Sequence, residues 1–276
     1  MHCGWRTAVV GRKTVDTATD QIELRWTTPS GRLNPHMFRN AVGFAVGATA
    51  RNADWGWMFN DVASQPGPGA IAPVRFITGR NHAGSFASIV AVGRDACMRL
   101  SAALMLLLPA MRTVEGLAGH ADVRFGRTWW KPSEGSNAFR VHTLVLNRVK
   151  GDRAKYDALR ADPTPMTPLI QDAIAQGLDR MADRIGIEKP GIASEQIEVV
   201  SIGTLSAQPV GPSGRGMRSR LTHAVIRMPI RLEGDWRVGG LVGYGNGGIA
   251  EIAKERHWRS DESAQHPHPK YPRQAA

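Results

Sequence analysis

His36 is the residue whose setting suits acid–base chemistry. It follows Asn34 and Pro35, a pair that opens a helix with Asn34 as N-cap and Pro35 at the first helical position. At the second position the positive end of the helix dipole disfavours an imidazolium, so His36 stays neutral and able to accept a proton. Arg39, three residues on, shares its helical face. Arg32 lies in the preceding loop and Arg25 on the preceding strand. Guanidiniums so placed can clamp a phosphate. His36 reads equally well as an ordinary surface histidine near a helix start.

A second feature is the run GGLVGYGNGG, 239–248, with six glycines around Tyr244. Bare backbone lets a ligand come close, and successive N–H groups can form an anion-binding nest. Gly243, Tyr244, Gly245 and Gly247 are the candidate contacts, with Arg237, Lys254, Arg256 and His257 adding positive charge nearby. The alternative is a flexible hairpin turn with no ligand. A dinucleotide site is weaker, because no helix with an acidic ribose partner follows the G-x-G spacing. Two more patches carry charge. VRFGRTWWKP interleaves Arg124, Arg127 and Lys131 with Trp129 and Trp130, a combination that suits single-stranded nucleic acid through stacking and phosphate contact. Two tryptophans anchoring a loop in the core is the equal alternative. GPSGRGMRSRL presents Arg215, Arg218 and Arg220 on a glycine-rich loop, and a solvated basic loop is the usual outcome for such a run.

The remaining chemistry is sparse. His82 and His120 fall in loop-like stretches, and His142 and His223 in strand patterns where they read as sheet-face residues. No His/Cys/carboxylate set has metal-ligand spacing, so no metal or other cofactor is expected. The two cysteines, Cys3 and Cys97, have no disulfide framework, which fits a reduced intracellular protein.

The elements that would carry these residues alternate in a recognisable order. Strands are expected at 7–15 and 20–28, a helix from 35 to about 48, and strands at 74–79 and 85–93 that could pair as a hairpin. A helix follows at 94–108 and a strand at 121–126. This is the β, α, β, β, α, β order of a ferredoxin-like unit. The second half repeats it: a strand at 138–149, a helix at 166–186, strands in EQIEVVSIGTL and LTHAVIRMPIRL, and a last strand in GIAEIAKE. Within the second-half helix Thr167 caps, Pro168 opens and Gly186 stops, and Leu169, Ile170, Ala173, Ile174, Leu178, Met181 and Ile185 form the apolar stripe. The expected class is α+β, two ferredoxin-like units in tandem with a glycine-rich loop near the C-terminus. The units divide at 1–130 and 131–259, with a polar, proline-rich and disordered tail at 260–276.

Composition narrows the partners. The 276 residues carry 42% hydrophobic side chains, enough for a core, and a formal net charge of +11. Of 35 cationic residues only seven are lysine. Nucleic acid is the first candidate for so arginine-rich a chain and an anionic membrane surface the second. The apolar run AALMLLLPAM, 102–111, is too short to span a bilayer and reads as a buried helix end. No signal-peptide pattern opens the chain, so the expected location is the cytoplasm, with no membrane partner.

Two ferredoxin-like units, a basic balance and the glycines at 239, 240, 243, 245, 247 and 248 together resemble the repeat-associated superfamily of CRISPR proteins. The closest members in layout are the CRISPR RNA-processing endoribonucleases, and the charge suggests the type IV branch. The stretch PVRFITG…ASIVAVGRDACMRL, 73–100, is similar to that family's first strand pair and helix. The resemblance implies a repeat-hairpin RNA substrate, a mature guide RNA kept as product and other CRISPR effector subunits as partners. It implies metal-independent cleavage by 2′-hydroxyl attack, with His36 as base and Arg25, Arg32 and Arg39 on the phosphate. Active sites vary in this family, and an arginine-only site is an alternative. A non-catalytic guide-binding subunit of the same superfamily is the second reading, and an unrelated basic scaffold protein the third.

Overall fold

A computed structural model describes residues 17–29, 33–49, 53–59, 74–81, 83–146, 153–210, 216–240, 242 and 246–252. The expected strand at 7–15, the tail at 260–276, and Arg32, His82, Arg215, Gly243, Tyr244, Gly245, Lys254, Arg256 and His257 lie outside them.

The first unit forms from β1 (Ala18–Thr27), α1 (Pro35–Thr49), the short α2 (Gly56–Phe59), β2 (Val74–Asn81), β3 (Gly84–Val92), α3 (Arg94–Met111) and the start of β4 (Ala118–Leu146). Its strands lie in the order β2-β3-β1-β4, all antiparallel, the arrangement the element order predicts. Ile22, Leu24 and Trp26 alternate onto one face of β1, where α1 and α3 cover them with Phe38, Val42, Val46, Leu100 and Leu107. The ring of Phe38 meets Trp26 and Phe76 edge-on at 6.4 and 5.9 Å, and Phe59 of α2 stacks on Phe76 at 5.4 Å.

β3 is buried on both sides, which explains its unbroken apolar run. Ala87, Ile89 and Ala91 face the first core, whereas Val90 and Val92 belong to the core of the second unit. That second core is built under α5 (Thr167–Ile185), with Ile170, Ile174, Leu178, Met181 and Ile185 buried as the stripe predicts. Gly186 ends α5 in the left-handed region at φ 76°. The start differs from expectation. A 3-10 turn, Thr164–Met166, runs straight into the helix, and Met166 is the N-cap without a side-chain bond. The turn itself accepts the Thr167 N–H at Thr164, so no side-chain cap is needed there. A further helix not foreseen, α4 (Arg153–Ala161), precedes it.

The separate strands expected at 121–126 and 138–149 are one strand of 29 residues, β4. Its first part pairs with β1, and from Trp129 onward it pairs with β7 (Gly216–Glu233). A register shift between Pro132 and Asn137 absorbs the missing proline donor without breaking the strand. The proposed division at 130/131 falls inside this strand. β5 (Glu198–Ile202) and β6 (Leu205–Val210) pair with β7, and β8 (Gly248–Glu251) pairs with β4 on the edge that β1 occupies earlier. The second unit thus repeats the first, except that the described residues between β7 and β8 form no α-helix. The glycine-rich segment stands where the first unit has α3. Among the described residues no helix is long and apolar enough to cross a membrane.

Candidate functional site

The N-cap that sets His36 in place is formed as the sequence predicts: the Met37 N–H donates to Asn34 Oδ1 at 2.9 Å. His36 is exposed one residue inside α1, with Nε2 3.4 Å from Asn40 Nδ2 across one helical turn. Arg39 is half-buried. It donates to the Phe59 carbonyl oxygen and lies over the Phe59 ring, 5.5 Å from its centroid. Its guanidinium therefore ties α1 to α2.

Arg25 projects from the face of β1 opposite the α1–α3 layer, because from Ile22 to Trp26 the buried residues of that strand are the even-numbered ones. Its guanidinium lies 4.1 Å above the Phe86 ring and is held by Glu23, with Nε–Oε1 at 2.9 Å and a side chain 21% exposed. Beside it is a cavity of about 510 Å³, lined by Thr28, Leu33, Gly79, Arg80, Ser85 and Phe86 among others. The cavity thus joins the end of β1, the tip of the β2–β3 hairpin and the residue before the Asn34 cap. Arg80 was not singled out in the sequence. The signal was available as the only arginine in the turn GRNHAG between two strand patterns. An imidazole at a capped helix start, an anchored guanidinium and a further arginine at a cavity rim are groups that can move a proton and hold an anion.

The patch at 123–132 is not a loop. It lies within β4, and strand alternation splits it. Arg124 pairs across from Glu23 and forms an exposed ion pair with Asp122 at 2.6 Å, on the Arg25 face. Arg127, Trp129 and Lys131 take the opposite face, with Lys131 Nζ 5.5 Å from the Trp129 ring centroid. Trp130 is core: it is buried and donates its indole N–H to the Glu188 carbonyl at 2.7 Å. Arg218 and Arg220 are likewise on a strand, β7, rather than on a loop, and Arg220 is exposed opposite Val145.

The described ends of the glycine run pack against the protein's own backbone. Gly239 and Gly247 have φ of 82° and 72°, and a Cβ on Gly247 would stand 1.8 Å from the Val238 carbonyl oxygen. Gly240 donates to the Val145 carbonyl at 2.8 Å and Gly247 to the His142 carbonyl at 2.9 Å. Arg237, expected as a surface contact, is only 5% exposed. It donates through Nε to Asp235 at 2.9 Å, and fully buried Arg75 of β2 donates to both the carboxylate and the carbonyl of the same residue. Burial raises the Asp235 carboxyl, but Arg237 and Arg75 outweigh it and hold the group below the ordinary carboxylate range. Burial in turn lowers the Arg75 guanidinium against the pull of Asp235. Gln21 of β1 accepts the Asp235 N–H at 3.0 Å and the Thr128 hydroxyl at 2.8 Å, completing a bridge from the first unit to the segment that leads into the glycine run.

His120 and His142 are exposed and His223 half-buried, and no group of three metal-capable side chains occurs among the described residues. Burial and Asp20 push the Cys97 thiol up to about 11, so it is an inert core residue.

The family model for type IV CRISPR-associated endonuclease Csf5 matches residues 20–254. Among solved structures, one described as Csf5, the CRISPR-Cas type IV Cas6 crRNA endonuclease, is 18% identical with a TM-score of 0.54, covering 84% of this chain and 99% of that one. A crystal structure of Cas6b is 12% identical with a TM-score of 0.53, covering 85% and 99%. At these identities the likeness is one of fold, two ferredoxin-like units in tandem. No curated protein matches.

Proposed function

The chain belongs to the type IV CRISPR-associated endonuclease Csf5 family, and on that premise we propose that it is a metal-independent endoribonuclease that cuts precursor CRISPR RNA at a repeat hairpin and keeps the guide. The observation that carries this reading is the cavity at the end of β1, with Arg80 in its lining and Arg25 above Phe86, opening beside the capped start of α1. In this reading His36 takes the proton of a ribose 2′-hydroxyl, whose oxygen attacks the adjacent phosphorus. Arg25 and Arg80 stabilise the negative phosphorane, and the bond to the 5′-oxygen breaks as that oxygen takes up a proton from water, while the proton on His36 is released to solvent. The products are a 2′,3′-cyclic phosphate and a 5′-hydroxyl. Arg39, bound to the Phe59 carbonyl, supports the helix start, and Arg32, in the loop before it, is a further phosphate contact. Arg124, Arg220 and the glycine run with Tyr244 extend the RNA path, with Arg215, Arg218, Arg256 and His257 alongside. Other CRISPR effector subunits would then receive the guide complex.

The test is a labelled repeat hairpin incubated in EDTA beside His36→Ala. Cleavage in EDTA with a cyclic-phosphate end, slowed about 10²- to 10⁴-fold in the variant, is expected. Unchanged cleavage in the variant removes His36 from the mechanism and leaves an arginine-only site. A second reading, a guide-holding subunit that does not cut, draws on the Arg25–Glu23 pair, since a guanidinium already neutralised binds a phosphorane less well. It predicts tight, salt-sensitive binding and intact RNA.

A further inference from the structure

A second and larger cavity, about 630 Å³, opens at the opposite end of β1. Asp20 lines this one and Thr28 the first, so the two stand eight residues of β1 apart, about 26 Å at ~3.3 Å per residue. The first turn of α3, the start of β1, Arg127 of β4, the end of α5 and Trp57 form its walls. The space exists because Gly93 turns the chain at φ 97° and brings the start of α3 against Ile185 of α5. A Cβ on Gly93 would stand 3.4 Å from the Ile185 Cα. The two ferredoxin-like units meet here, and each contributes charge.

The lining includes four arginines, Arg94, Arg99, Arg127 and Arg184, and two aspartates, Asp20 and Asp95. Arg94, Arg99 and Arg127 are exposed, and Trp57 is half-buried. Guanidinium forks match phosphate oxygens, an indole face stacks a base, and carboxylates accept from amino and hydroxyl groups. The volume is in the range of small-ligand sites and is too small for a duplex. We propose that this cavity holds a single-stranded nucleotide of the RNA substrate, outside the paired hairpin, with its base on Trp57 and its phosphate on Arg94, Arg99 and Arg127. The inference rests on the RNA-processing reading above, and it adds a second anchoring point remote from the cleavage cavity. An RNA strand gripped at both would be fixed in register along β1, so the length of single strand between hairpin and anchor would help set the cut.

The test compares the bare repeat hairpin with hairpins extended by 5′ or 3′ single strands, in wild type and in Arg99→Ala, Trp57→Ala and Trp57→Phe. Wild type is expected to bind one extended RNA about ten- to a hundredfold tighter than the bare hairpin. Arg99→Ala and Trp57→Ala should lose most of that gain while binding and cutting the bare hairpin as before, and Trp57→Phe should keep it. Because Arg99 is exposed, its truncation leaves the core intact. The salt dependence of extended-RNA binding should fall by about 0.7 in log–log slope for Arg99→Ala, an effect that a purely structural residue would not produce. Equal gains in wild type and Arg99→Ala overturn the proposal. Binding of free AMP at micromolar concentration, lost in Arg99→Ala, with no gain from either extension overturns the RNA source in favour of a free nucleotide. If the bare hairpin is neither bound nor cut, the nuclease reading fails by itself. The cavity is then judged with a short oligoadenylate, whose Arg99-dependent binding supports the site and whose absence overturns it.

Discussion

Asp235→Ala should cost about 3 to 5 kcal/mol, because it leaves two buried guanidiniums without their carboxylate. Arg75 has no exposed side-chain surface and Arg237 is 5% exposed, so solvent solvates the two guanidiniums poorly once the acceptor is gone. Arg75 also donates to the carbonyl of residue 235, and its Nη2 meets the Met181 sulfur at 3.6 Å, a weak acceptor that cannot stand in for a carboxylate. At roughly 2 to 4 °C per kcal/mol for a chain of this size, the midpoint of thermal unfolding should fall by about 6 to 20 °C. Urea unfolding at pH 7 reads the same quantity, and adding Arg75→Met should restore part of it, since the pair is then removed together. The pH dependence has a fixed sign. The carboxyl is depressed in the folded protein, so its stabilisation is complete above the unfolded value of about 3.9 and is lost as pH falls through the lower folded value. The variant should lack that share of the acid loss. A cost below about 1 kcal/mol, or a double variant no better than the single, would refute the bridge as a stabilising unit.

Gly247→Ala should destabilise by at least about 2 kcal/mol, because the positive φ and the Val238 carbonyl both exclude a Cβ, whereas Gly126→Ala, with nothing within 4 Å, should be near neutral in the same melt. Asn34→Ala removes the bond to Met37 and should cost about 1 kcal/mol, and Asn34→Ser should recover most of it. In a Cys3→Ser background, Cys97 should resist iodoacetamide at pH 8 until the protein unfolds, since its thiol titrates near 11 and its surface is 5% exposed. Rapid labelling of native protein would contradict that burial.

Local signals were readable where local chemistry decides the outcome. Asn34–Pro35 placed the start of α1, the stripe from Ile170 to Ile185 placed α5, and Gly186 placed its end. The alternation of 74–93 yielded the β2–β3 hairpin. Partners distant in sequence were not readable. KPSEGSN carries turn residues, and only the ladder to β7 keeps β4 continuous through it. Arg237 looks like a loop cation until Asp235 and Arg75, 160 positions away from each other, close around it. The Arg-Trp patch reads as one surface in the sequence, but a strand turns alternate residues to opposite faces. Arg80 and Trp57 gain meaning only from the cavities they line.

The shared strand β4 also sets a timetable for synthesis. Its first part finds β1, already made, as soon as it leaves the ribosome, with Trp129 opposite Ala18. Its second part must wait for β7, since Trp129 also pairs with Glu233, about 100 residues later. At about 5 to 20 residues per second that wait is roughly 5 to 20 s. Throughout it, an apolar strand carrying Phe139, Val141 and Leu144 has both edges open, a template for pairing with a neighbouring nascent chain. Slowed elongation through 150–230 should therefore lower the yield of native protein, and a chaperone that shields strand edges should restore it.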